Sequence, residues 1–213
     1  MPRTASHWRY VIDNVIVYRD VYRAFCNDSP TRATFEFDSK IRSFPDSPEC
    51  HSDPASRGSV DRRQLLRRID RAWRDFQDSH AGLSNEQMLE PGVTGAWSVR
   101  DIIAHVTTWD EEALKHLPLV LKGGKPPRYS LTYGGIDAFN ARVTEQKKDL
   151  SLPEVLRQMN DTHRRVLNLI ESAPESQLKG ETRFRHRLRL DTYGHYPKHA
   201  QAIRKWREKK AED

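Results

Sequence analysis

The chain has 213 residues, 36 Lys and Arg against 30 Asp and Glu, a formal charge of +6 at pH 7, and only 36% hydrophobic residues. That length suits one domain with a real core plus an extension, and is short for two full domains. No stretch approaches the roughly 20 apolar residues that span a bilayer. The N-terminus has no apolar run before a cleavage site, and Asp13 and Asp20 argue against a transit peptide, so a soluble cytoplasmic protein is expected. Cys26 and Cys50, the only cysteines, match no zinc or redox spacing.

Residues 1–58 carry eight basic and eight acidic side chains, so the net charge belongs to the segment from Val60 onward. VIDNVIVYRDVYRAF has the composition of a short strand or helix, but NDSPTRATFEFDSKIRSFPDSPECHSDPASRGS is a run of turn formers without a period. An irregular extension over residues 1–58 is expected, followed by a domain over 60–210. A start of translation near Val60 is the alternative, since a valine codon can serve as a bacterial start.

From there the pattern is helical. In VDRRQLLRRIDRAWRDFQDSHAGL, Leu65, Leu66, Ile69, Trp73 and Phe76 recur at three- and four-residue spacing, and Gly82 is the expected stop. After the loop SNEQMLEPGVTGAW, Ser98 and Asp101 read as a capping box opening a helix with Ile102, Val106, Trp109, Ala113 and Val120 along one stripe. His105, Glu112 and His116 share a flank of that helix. LKGGKPPRYSLTYGG breaks the chain, and IDAFNARVTEQKKD resumes as a shorter helix carrying Ile136, Phe139 and Val143. Ser151 with Glu154 repeats the capping box, with Leu156, Met159, Val166, Leu167 and Ile170 inward and Pro174 as terminator. RFRHRLRL alternates arginine with Phe184, His186, Leu188 and Leu190, which predicts an extended segment with one buried and one cationic face. PKHAQAIRKWREKK closes the chain as a helix presenting His199, Ala202, Ile203 and Trp206. Four main helices and one short one predict an all-α, up-and-down four-helix bundle.

His195 and His199 have the i, i+4 spacing that puts two imidazoles on one helix face, and His105 lies on a separate helix. Three imidazoles so placed can close a metal site. Pro197 biases Tyr196 away from the α region, which puts the start of the helix at Pro197 and His195 on its lead-in.

In their order, WSVRDIIAHVTTWDEEAL, IDAFNAR and LDTYGHYPKHAQAIRKW resemble the DinB-like superfamily of four-helix proteins, and more closely its ClbS/DfsB branch. The resemblance covers roughly Val60 to Lys209. It implies that His105, His195 and His199 bind a divalent metal, zinc or nickel, and that a low-molecular-weight thiol serves as co-substrate. Relatives of this kind include metal-dependent thiol transferases, and ClbS-like members protect cells from an electrophilic natural product. Ala202 departs from the pattern, standing where many members have a polar residue.

The function expected is therefore a metal-dependent hydrolase or thiol transferase acting on a small electrophilic molecule. Glu112 and Tyr196 are the candidates for orienting substrate or moving a proton. A non-catalytic protein that sequesters a small molecule is the alternative. Between Lys179 and Lys210 eleven Lys and Arg face three acidic residues, yet no helix-turn-helix, zinc-finger or RNA-binding signature accompanies them. Nucleic-acid binding is thus the least favoured reading. The expected partners are a small-molecule substrate and no membrane, with the protein a monomer or homodimer. His163 is expected at the core boundary, and Trp97, Trp109 and Trp206 as core anchors.

Overall fold

A computed structural model describes residues 54–212, with side chains from residue 61. Among the described residues there are nine helical segments and no strand. They are α1 (Pro54–His80), α2 (Asn85–Leu89), α3 (Val99–Leu121), α4 (Tyr129–Thr132), α5 (Ile136–Lys147), α6 (Leu152–Ser172), α7 (Glu175–Leu178), α8 (Arg183–Asp191) and α9 (Tyr196–Glu212). The long helices α1, α3, α6 and α9 make the expected bundle, with α3 packed on α6 and α9 on α1. α1 opens at Pro54, ahead of the boundary expected near Val60. VIDNVIVYRDVYRAF lies outside the described residues.

Local chemistry sets the helix ends. α1 stops at His80 and the chain turns through Gly82, whose φ of +75° suits a residue without a side chain. At the start of α3 the Asp101 carboxylate accepts from the Ser98 N–H at 3.0 Å, and Ser98 Oγ accepts from the Asp101 N–H at 3.2 Å. At α6 the Glu154 carboxylate accepts from the Ser151 N–H at 2.8 Å. Each box satisfies backbone donors that the first helical turn leaves orphaned.

Three apolar clusters fill the interior. Trp73 and Phe76 of α1 meet Ile102, Ile103 and Val106 of α3, Val155 and Met159 of α6, and Ile203 and Trp206 of α9. Leu65 and Ile69 meet Leu117, Ile170, Phe184 and Leu188 at the other end. Trp109, Tyr129, Phe139 and Val143 form a satellite group. α3 is buried on nearly every side because α5 and α8 pack on faces that a plain four-helix bundle leaves to water. The His163 ring stacks on Trp73 at 3.7 Å between centroids, a core-boundary residue as expected.

The extended reading of RFRHRLRL is corrected: the segment is helical. Phe184 and Leu188, four residues apart, are both fully buried, while His186 and Leu190 are only partly covered. Thr182 supplies the cap, its hydroxyl accepting from the Arg185 N–H at 3.2 Å. Arginine and leucine are good helix formers, so once burial selected the period, local preference did not oppose it. The two expected loops also contain short helices, α2 and α4. No helix among the described residues is long and apolar enough to cross a membrane.

Candidate metal centre

α3 presents His105, and the turn from α8 into α9 presents His195 and His199. α9 begins at Tyr196, one residue before the expected Pro197, and His195 stands immediately outside it. Pro197 costs nothing there, because a first-turn N–H has no helical partner. The turn is held by His195 N–H donating to the Thr192 carbonyl at 2.7 Å and Lys198 N–H donating to the His195 carbonyl at 3.1 Å. Gly194 makes this turn possible. A Cβ on it would lie 2.6 Å from the Arg189 carbonyl oxygen, a backbone atom that cannot yield alone. Gly194→Ala is therefore expected to shift His195 and lower divalent-ion affinity, with helical content by circular dichroism nearly unchanged. Wild-type affinity in that variant would show that the turn does not position the imidazole.

The three histidines converge. One nitrogen from each lies within 4.8 Å of the others, close enough for small torsional adjustments to set all three at the bond length of about 2.0–2.1 Å from a shared ion that zinc makes with imidazole. His195 and His199 face each other through their Nε2 atoms at 2.7 Å. Nδ1 of His105 is buried without a hydrogen-bond partner among the described residues.

Burial holds all three imidazoles neutral. It pushes His105 and His195 well below the ordinary histidine value, with further lowering of His105 by His199 and Lys147, and of His195 by His199, His105 and Lys198. His199 is lowered to about 4 by burial and then by Lys198. Neutral imidazoles have free lone pairs and no proton for a cation to displace. The donor set, its burial and the unpartnered nitrogen all fit a divalent ion. Trp97 and Trp109 wall the cluster, with ring centroids 4.9 and 6.4 Å from His105. A cleft of about 10 Å³ between α3 and α5 reaches His105, lined also by Asp101, Thr108, Thr144 and Lys147.

The structure does not bring Glu112 and Tyr196 into this cluster through any polar contact among the described residues. Glu112 lies seven residues beyond His105, about 10 Å along the helix axis. Its carboxylate accepts from Lys115 at 3.2 Å and pairs with His116 Nε2 at 3.0 Å, and the Tyr129 hydroxyl also donates to it. Burial acts to raise this carboxyl, but those hydrogen bonds outweigh it and hold Glu112 at about 2. Tyr196 is fully buried, and its hydroxyl donates to both Asp110 carboxylate oxygens at 2.8 and 2.9 Å.

Sequence reasoning missed the buried acids behind the histidines. Burial pushes Asp110 well above the usual carboxylate range, against the Tyr196 hydrogen bond. Asp191 is fully buried and ion-paired with Arg187, whose Nη2 donates to the Tyr129 hydroxyl at 3.2 Å. A signal existed for Asp110. It occupies the apolar stripe of Ile103, Val106, Ala113 and Leu117, where a carboxylate needs a partner.

No curated protein matches the chain. Its fold is similar to the crystal structure of an uncharacterised protein from Escherichia coli UTI89, with a TM-score of 0.59 and 17% sequence identity over 70% of this chain and 94% of that one. Residues 68–202 match the family model of the DinB superfamily. The chain thus belongs to the DinB superfamily.

Proposed function

We propose that His105, His195 and His199 hold a divalent metal ion, zinc or nickel, and that the protein is a metal-dependent enzyme acting on a small electrophilic molecule by hydrolysis or thiol transfer. The observation that carries this reading is three imidazoles, two buried and His199 half-buried, with ligand nitrogens within 4.8 Å of one another and burial lowering the basicity of each. When bound, such an ion supplies Lewis acidity, which makes a nucleophile of water or of a low-molecular-weight thiol near neutral pH. The rest is done by the chain. The backbone bonds to Thr192 and from Lys198 hold the turn that carries His195, and Trp97 and Trp109 limit access of bulk water. The cleft past Thr108, Thr144 and Lys147 reaches His105 with room for about one water.

Tyr196 and Glu112 take positioning roles in this reading. Tyr196, clamped by Asp110, fixes the residue next to His195, and Glu112 ties α3 to Tyr129 and through it to Arg187.

Elemental analysis tests the metal. Protein purified without chelator and refilled with zinc or nickel is expected to hold about one equivalent. Binding of less than about a tenth of an equivalent removes the chemistry. Loaded protein that captures the electrophile without turning it over is instead a sequestering protein.

A further inference from the structure

A second charged feature lies on the far side of α1. Asp61, Gln64, Arg68 and Arg71 follow one another at spacings of three and four and so share a helix face, while Leu65 and Ile69 turn into the core. Across from them stands Arg185 of α8. Together with Arg67 they line a groove of about 370 Å³. Asp61 is the one acidic residue in that lining among the described residues.

These guanidinium groups are arranged but not neutralised. Arg62 pairs with Glu175 at 2.9 Å and Arg74 with Asp70 at 3.0 Å, both outside the groove. Arg67, Arg68, Arg71 and Arg185 have no ion-pair partner among the described residues. Arg185 is also fixed in place, since its Nη1 donates to the Gly180 carbonyl at 2.9 Å and its own N–H is capped by Thr182. Beside it Tyr193 is half-buried, and the charges of Arg185, Arg189 and Arg68 all act on its phenol. A surface that only needed solubility would not gather like charges around one concavity, where they repel.

We propose that this groove binds a small organic or inorganic phosphate carrying two or more phosphoryl groups. Arginine recognises phosphoryl oxygens bidentately, and guanidinium groups on two walls suit an anion with more than one such group. The volume matches small-molecule pockets of roughly 300–1,000 Å³. A polynucleotide is less well served, because the cations are gathered in one concavity and not spread along a track, and no aromatic ring is among the residues that line it. The inference is independent of the histidine cluster.

Pyrophosphate is the probe. The full chain would be titrated calorimetrically at low ionic strength with chelator present, so that no divalent ion bridges protein and ligand. The expected result is saturable binding, stronger than for orthophosphate. It should weaken by at least about tenfold in an Arg68→Gln/Arg185→Gln variant and stay unchanged in Arg74→Gln, which lies outside the groove. Circular dichroism of the double variant confirms that these partly exposed substitutions leave the fold intact. Four results would each overturn the proposal: no saturable binding, orthophosphate bound equally well, affinity indifferent to the double substitution, or duplex DNA displacing pyrophosphate at lower concentration through the same arginines.

Discussion

Arg187→Met is expected to destabilise the protein by about 3–5 kcal/mol, because it strands a fully buried carboxylate. Asp191 has no exposed surface, one of its oxygens has no hydrogen-bond partner, and Arg187 supplies the ion pair to the other. In a protein of this size the melting temperature should fall by roughly 10 °C. The loss depends on pH with a definite sign. Burial raises the Asp191 carboxyl while Arg187 opposes the rise. Without the arginine the folded state retains a proton that the unfolded chain gives up near its ordinary value of about 3.9. Stability of the variant should therefore decline as pH rises above that value, and the deficit against wild type should be larger at pH 8 than at pH 5. Thermal melts of both proteins across that range check this. A deficit independent of pH would show that the arginine acts through packing alone.

His195→Ala is expected to lower affinity for zinc or nickel by more than about 100-fold, since two imidazoles and an emptied corner remain where three had converged. The helical spectrum should persist, because the core consists of apolar clusters to which the His195 ring adds little. Metal retention by the wild type should also be unusually tolerant of acid. Ordinary histidines begin to take protons, and to release metal, below about 6.5. Here burial has lowered all three, His199 to about 4. Metal content after dialysis should thus hold level to about pH 5 and fall as pH approaches 4. Loss of half the metal near pH 6.5 would mean that the imidazoles are solvated in solution.

The metal-free protein behaves in the same direction. Each depressed histidine binds its proton in the unfolded chain before it does so in the fold. The contribution of these histidines to stability is therefore fully present above about 6.5 and is lost as pH falls toward 4.

The bundle was legible because apolar spacing and capping boxes agreed: the stripe from Ile102 to Val120 and the starts at Ser98 and Ser151 stand where the pattern put them. The His195 and His199 pair was legible from its i, i+4 spacing, but that His105, 90 positions earlier, meets it was supported by the resemblance, since so long a separation carries no geometric signal by itself. RFRHRLRL was misread because alternation over eight residues satisfies a strand template while Phe184, Leu188 and Asp191 also satisfy a helical one. That misreading hid the Arg187 and Asp191 pair, which faces inward only in a helix. The partners of Tyr196 and Glu112 were beyond reach, because Asp110 and Tyr129 meet them through tertiary packing between distant segments.

α5 forms one wall of the cleft at His105, and it is lightly anchored. It buries only Phe139 and Val143, and its C-terminal end is tied down by polar contacts: Arg100 donates to the Lys147 and Leu150 carbonyls at 2.8 Å, and Lys147 pairs with Glu111 at 2.9 Å. The apolar area lost if this helix lifts is a small share of the core, so the free energy of detaching it lies well below that of global unfolding. The histidines belong to α3 and to the α8–α9 turn, which such a motion leaves in register. Access to the cleft and the rigidity of the imidazoles thus rest on different parts of the chain.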